Sequence, residues 1–106
     1  MSNMKKTALY IRSAVEDNDK VKLQEKILGD YSVKHGYNHI QLYVDNGASG
    51  NTLDRPALNR LNTDIEAGNI DAVIVEDVSR ISRNLVQSSK WINFVQQKGI
   101  SVIIVR

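Results

Sequence analysis

Four short apolar runs punctuate the chain, and the stretches between them carry apolar residues at helical spacing. Thr7 to Arg12 reads as a buried strand. Asp17 to Asp19 supplies a helix-start signal, and from Lys20 to His35 the residues Leu23, Ile27 and Tyr31 recur at i, i+4 and i+8, along one face of a helix that Gly36 ends. His39 to Val44 is a second strand. Asp45 to Arg55, rich in Gly, Asn and Asp, is a loop longer than the usual connection, and such loops tend to carry function. Pro56 opens a second helix, with Asp54 as its expected N-cap, Leu58, Leu61 and Ile65 on one face and Gly68 at its end. Asp71 to Glu76 is the third strand. Leu85, Trp91, Ile92 and Val95 mark a last helix closing at Gly99, and Ser101 to Val105 is the fourth strand.

The resulting pattern, βαβαβαβ, predicts an α/β fold with parallel strands, helical crossovers and helices on both faces of the sheet. The chain's 106 residues suit one small domain with its own core. The last strand has nothing after it to cover it, so residues 1–106 are expected to be one domain of a longer protein. There is no cysteine, hence no disulfide, thiolate nucleophile or cysteine-based metal site, and His35 and His39 offer little to a metal. No metal or cofactor is therefore expected, and chemistry falls to oxygen nucleophiles. The polar, basic start from Met1 to Thr7, and apolar runs well short of the roughly 18 residues of a membrane span, lead to the expectation of a cytoplasmic protein without membrane contact. Net charge is only +2, but it is unevenly spread: acids gather from Glu16 to Asp19, whereas Asp77 to Lys90 holds Arg80, Arg83 and Lys90.

A doubly wound sheet of order 2-1-3-4 places its first and third strands side by side, and their connections leave to opposite faces. A crevice opens at the strands' C-terminal ends. Here strand one ends in Arg12-Ser13, and strand three runs into Glu76-Asp77-Val78-Ser79-Arg80-Ile81-Ser82-Arg83, so hydroxyl-bearing and arginine-bearing turns should meet. Guanidinium forks three residues apart suit bidentate grip on a phosphate. A phosphate-binding Gly-Lys-Ser/Thr loop and a Gly-x-Gly-x-x-Gly fingerprint are both absent. The cationic ends also differ from the acidic crevice of a phospho-accepting receiver.

Taken together, these residues resemble the catalytic domain of the serine recombinases, the resolvase and invertase family, most closely its large transposon-encoded branch. Tyr10-Ile11-Arg12 looks like the opening Tyr-x-Arg, and Gln24 falls close to a glutamine of the first helix. Asp45-Asn46-Gly47-Ala48-Ser49-Gly50 with Asp54-Arg55-Pro56 resembles the Asp-x-Gly-x-Ser-Gly and Asp-Arg-Pro segment, and Ser79-Arg80-Ile81-Ser82-Arg83 resembles Asp/Ser-Arg-x-x-Arg. The resemblance implies a resolvase-like three-layer domain. It also implies cofactor-free strand exchange in double-stranded DNA through a 5′-phosphoserine intermediate, in which arginines take the place of metal ions. By position, Arg12, Arg55, Arg80 and Arg83 would cradle the scissile phosphate, with Tyr10, Gln24, Asp45, Ser49 and Ser79 in support. Dimers pairing into tetramers would be expected of the full-length protein, and a monomer of this domain alone.

The pattern departs from the family at one position. Tyr-x-Arg-x-Ser becomes Tyr10-Ile11-Arg12-Ser13-Ala14, so Ala14 stands where the nucleophile is expected and the serine comes one residue early. In a regular strand Ala14, not Ser13, shares the Arg12 face; if the strand ends at Arg12, the alternation lapses and Ser13 can turn into the crevice. Three readings stay open: Ser13 as a shifted nucleophile, the leading one because all the arginines remain; a catalytically silent DNA-associated or oligomerisation module; and a small phosphate-ligand binder. Ordinary roles compete at each position. Ser13, Ser49, Ser79 and Ser82 suit turns and caps, Glu76 and Asp77 lie within reach of Arg80, and Tyr10 and Trp91 suit a core or an interface.

Overall fold

The computed structural model describes residues 5–106, so the first part of the basic N-terminal segment lies outside the described residues. Its elements are β1 (Lys6–Ser13), α1 (Asn18–Lys34), β2 (Ile40–Asn46), α2 (Pro56–Glu66), β3 (Ile70–Val75), a 3-10 turn (Val78–Arg80), α3 (Leu85–Gln97) and β4 (Ser101–Ile104). The strands pair in parallel in the order β2-β1-β3-β4, as the alternation of elements predicts.

Alternation along β1 divides the core. Ala8 and Tyr10 join Leu58, Leu61 and Ile65 of α2 and Trp91 and Val95 of α3 on one face. Leu9 and Ile11 join Leu28 of α1 and Ile74 of β3 on the other. Every residue of β1 after Lys6 is buried, as befits a central strand covered on both sides. With α1 leaving β1 to one face and α3 leaving β3 to the other, the crevice at their C-terminal ends is a topological switch point.

Four local expectations change. First, β1 does not stop at Arg12: Ser13 pairs with Asn46 in register, so the alternation continues one residue further. Second, the buried stripe of α1 is Gln24, Leu28 and Ser32, one position along from the expected one, leaving Leu23 exposed and Ile27 and Tyr31 on its flank. An i, i+4, i+8 set marks helical period without marking which neighbouring stripe meets the sheet. Third, Asp54 does not cap α2. The helix begins after Arg55 with no side-chain cap of its own, and Asp54 instead accepts a hydrogen bond from Asn59. Fourth, Leu85 is exposed at the start of α3, where Asn84 caps the helix by accepting from the Val86 and Gln87 N–H groups.

Candidate functional site

The missing cap of α2 comes from the end of β2. Asp45 is buried and accepts from the Ala57 N–H at 2.8 Å with one oxygen and from the Leu58 N–H at 3.0 Å with the other. It thus satisfies two orphan donors at the positive end of the helix from a distance in sequence. The Tyr10 hydroxyl donates to the same carboxylate at 2.7 Å and accepts from Arg55 Nη1 at 3.1 Å. Burial, and then the bond to Asp45, push the Tyr10 phenol above its ordinary range, so it stays protonated.

Arg55 and Arg12 are the best-buried charges of this region, 1% and 2% exposed, and both point into carbonyl oxygens. Arg55 Nε donates to Ser49 O and Thr52 O, Nη1 to Arg80 O, and Nη2 to Ile81 O. One side chain therefore ties the β2–α2 loop to the β3–α3 turn. Arg12 does the same from β1, donating from Nη1 to Ala48 O at 2.9 Å, from Nη2 to Ser79 O at 2.7 Å and from Nε to Arg80 O at 3.2 Å. Desolvation first, and the adjacent Arg55 charge next, lower the Arg12 guanidinium from its ordinary value. Gln24 closes the main chain of the same residue, accepting from Arg12 N and donating to Arg12 O. That carbonyl also accepts from Arg80 Nη1 at 3.2 Å.

Gly50 is where the two loops come closest. A Cβ there would lie 2.8 Å from Arg83 Cγ and 2.9 Å from Arg12 Nη2, and its carbonyl accepts from Arg83 N and Ser82 Oγ. The position admits no side chain without displacing an arginine.

Between the ends of β1 and β3 lies a cleft of about 250 Å³. Arg12, Ser13, Ala14, Ser79, Arg80 and Arg83 line it, as expected from the sequence; Val15, Asp17 and Lys20 complete it. Tyr10, Gln24, Asp45, Ser49 and Arg55 lie outside that lining. Three of them act behind it, Asp45 and Arg55 on the loops and Gln24 on Arg12, and Tyr10 bridges Asp45 to Arg55. Ser49 serves its own turn, its hydroxyl accepting from Asn51 N, and Ser79 donates to Asp77. Ser13 is 3% exposed and donates to Val15 O at 2.6 Å, while Ala14 is exposed. Lys20 escaped sequence reasoning, and the motif that contains Gly50 gave no sign of its close approach to Arg12 and Arg83. Lys20 looks like any solvated first-turn residue, and only its place in the folded chain makes it a fourth cation on the wall. A larger hollow of about 480 Å³ sits at the opposite ends of the strands, between Tyr37, His39 and Asp71, with no comparable convergence of charge.

The model of the resolvase N-terminal domain matches residues 7–106. The chain belongs to the resolvase family. Of its relatives, a "Putative DNA recombinase" of Bacillus subtilis (strain 168) is 39% identical over 72 residues, 68% of this chain but 14% of that protein, so the chain spans about a seventh of its length. Among solved structures, the N-terminal catalytic domain of TP901-1 integrase superposes with a TM-score of 0.88 at 30% identity, covering 95% of this chain and 78% of that one. A resolvase family site-specific recombinase from Streptococcus pneumoniae gives 0.80 at 25% identity over 95% of this chain and 72% of that one. The catalytic domain of an IS607-like serine recombinase shares the fold, with a TM-score of 0.86 at 22% identity over 94% and 70% of the two chains. The sheet order β2-β1-β3-β4 is thus that of a resolvase-family fold. Among the described residues no helix is long and apolar enough to cross a membrane.

Proposed function

We propose that this domain seats a backbone phosphate of double-stranded DNA in the cleft where β1 and β3 end, as the catalytic-fold domain of a cytoplasmic DNA recombinase, and that it makes no strand break through Ser13. The grip on phosphate rests on Arg83 and Lys20 at the cleft wall and on Arg80 beside them, whose Nη1 and Nη2 hold Arg12 O and Glu76 and would be shared with the phosphate. Arg12 and Arg55 contribute rigidity and positive potential, since most of their donors already serve carbonyls. One observation carries the view of Ser13: the residue continues β1 in register, so it shares the side of Leu9 and Ile11 and not that of Arg12, and its hydroxyl is taken up by Val15 O. Ala14, at the exposed mouth, has no atom that attacks phosphorus.

A second reading has its own support, because Ser13 does line the cleft with Arg80 and Arg83. In it, Ser13 Oγ gives up its proton and bonds to phosphorus, the bond from phosphorus to the 3′ oxygen breaks, and that oxygen leaves protonated. The product is a 5′-phosphoserine and a free 3′ hydroxyl. Dimers and tetramers of the full-length protein belong to both readings.

Trapping of covalent protein–DNA adducts on nicked duplex, with the full-length protein, separates the two. We expect duplex binding without adduct from the natural protein and from Ser13→Ala, and adduct from Ala14→Ser, which restores a hydroxyl beside an otherwise complete cradle. An adduct formed by the natural protein and lost in Ser13→Ala overturns this and establishes Ser13 as the nucleophile.

A further inference from the structure

Glu76, at the end of β3, is 7% exposed, and its carboxylate is divided between two arginines. One oxygen lies 3.0 Å from Arg80 Nη2 on the cleft wall, and the other lies 3.4 Å from Arg106 Nη1 beyond β4. The Arg106 main chain reaches the same residue, its N–H donating to Glu76 O at 2.9 Å. Arg80 is therefore not a free cation. Besides Glu76 it holds Arg12 O, and its Nε is buried with no hydrogen-bond partner, 3.7 Å from an Asp77 carboxylate already engaged by Ser79.

A phosphate entering the cleft needs the same Arg80 donors that Glu76 holds. We infer that Glu76 is a positioning residue that restrains Arg80 from the DNA phosphate, and that Arg106 sets the strength of the restraint by drawing on the same carboxylate. This rests on the DNA-phosphate reading of the cleft and adds a control to it. Whatever pulls Arg106 toward Glu76 loosens Arg80, and whatever draws it away tightens the hold, because two cations share one buried negative charge.

The test is duplex-DNA affinity of the full-length protein measured across a range of salt concentrations. Glu76→Gln keeps the side chain's shape and removes its charge; it is expected to raise affinity about fivefold and to steepen the salt slope by about one phosphate contact. The same change in an Arg80→Ala background is expected to do nothing. Arg106→Ala, a substitution at a largely exposed side chain that leaves folding intact, is expected to lower affinity. A gain from Glu76→Gln that persists without Arg80 means a general charge effect and overturns the inference, as does a loss of affinity or no change in a folded Glu76→Gln protein. Unchanged or raised affinity in Arg106→Ala overturns it too, and this arm stands even if Glu76→Gln fails to fold. If Arg80→Ala weakens binding while Glu76→Gln leaves it flat, only the restraint falls; if Arg80→Ala and Arg83→Ala both leave binding untouched, the DNA-phosphate reading falls with it.

Discussion

The resolvase-type motifs of this chain contribute four arginines to one end of the sheet, and the structure separates them into two pairs with different physics. Arg12 and Arg55 are almost completely buried and aim at carbonyl oxygens of the loops around them. Arg80 and Arg83 stand at the cleft, the first restrained by a carboxylate and the second exposed. The same side chain thus acts as a strut in one pair and, under the proposed function, as a hydrogen-bond donor to phosphate in the other. The difference lies in what each guanidinium meets: a buried fork pays for its desolvation only if most of its N–H groups are matched, and loop carbonyls in these two positions match them. Membership of a motif is therefore no guide to which arginine is left free of loop carbonyls.

The comparison breaks most visibly at Arg55. Arg55→Ala is expected to destabilise the fold by about 3 kcal/mol or more, because carbonyls of both loops and the Tyr10 hydroxyl lose their donor at once. Urea unfolding measures it, and a cost near zero would mean that Arg55 is no strut. Asp45→Asn comes next, at about 2 kcal/mol, since the substitution weakens the acceptors at the start of α2 and removes the negative charge from the helix's positive end. Loss of helical signal at lower denaturant would accompany it.

The third prediction concerns pH. Tyr10 and Tyr43 both titrate above their ordinary value of 10.0 in the folded chain, Tyr10 through burial and Asp45, Tyr43 through burial and Asp64. Above pH 10 the unfolded chain loses phenolic protons that the folded one keeps. Stability is therefore full below that pH and falls as pH rises, by up to about 1.4 kcal/mol per unit for each buried tyrosine. Tyr10→Phe is expected to remove its share of this slope, and an unchanged slope would show that Tyr10 ionises freely. The smallest effect on stability is expected at Arg83: Arg83→Ala leaves the unfolding midpoint where it was, yet lowers duplex affinity and reduces the salt slope by about one. A large shift in midpoint would move Arg83 into the strut class.

Tests of this kind are needed because the site was only partly legible in the residues. The cleft's wall followed from Arg12, Ser13, Ser79, Arg80 and Arg83 once a 2-1-3-4 sheet was inferred, because topology alone brings those strand ends together. Lys20 did not follow, since nothing in its neighbours distinguishes a cation over a cleft from one in solvent. Asp54 looked like the α2 cap because caps are usually local, and the actual cap, Asp45, comes from another element. Ser13 turned on a single residue of strand length: one more pair, Ser13 with Asn46, decides which side of the sheet its hydroxyl shares.

What the chain determined by itself is the order and type of its elements, and through them the parallel sheet and the position of the crevice. Those properties are written in periods of two and of 3.6 residues and in Gly, Pro and Asp stops, which are local signals. What only the tertiary structure decided is the office of each charged group: which arginine braces, which faces the cleft, and which carboxylate holds it. Those outcomes depend on partners 26 residues away for Arg55 and Ile81 and 68 for Arg12 and Arg80. No local pattern encodes a hydrogen bond whose acceptor is a main-chain carbonyl, because every residue carries one, and only the folded geometry selects among them.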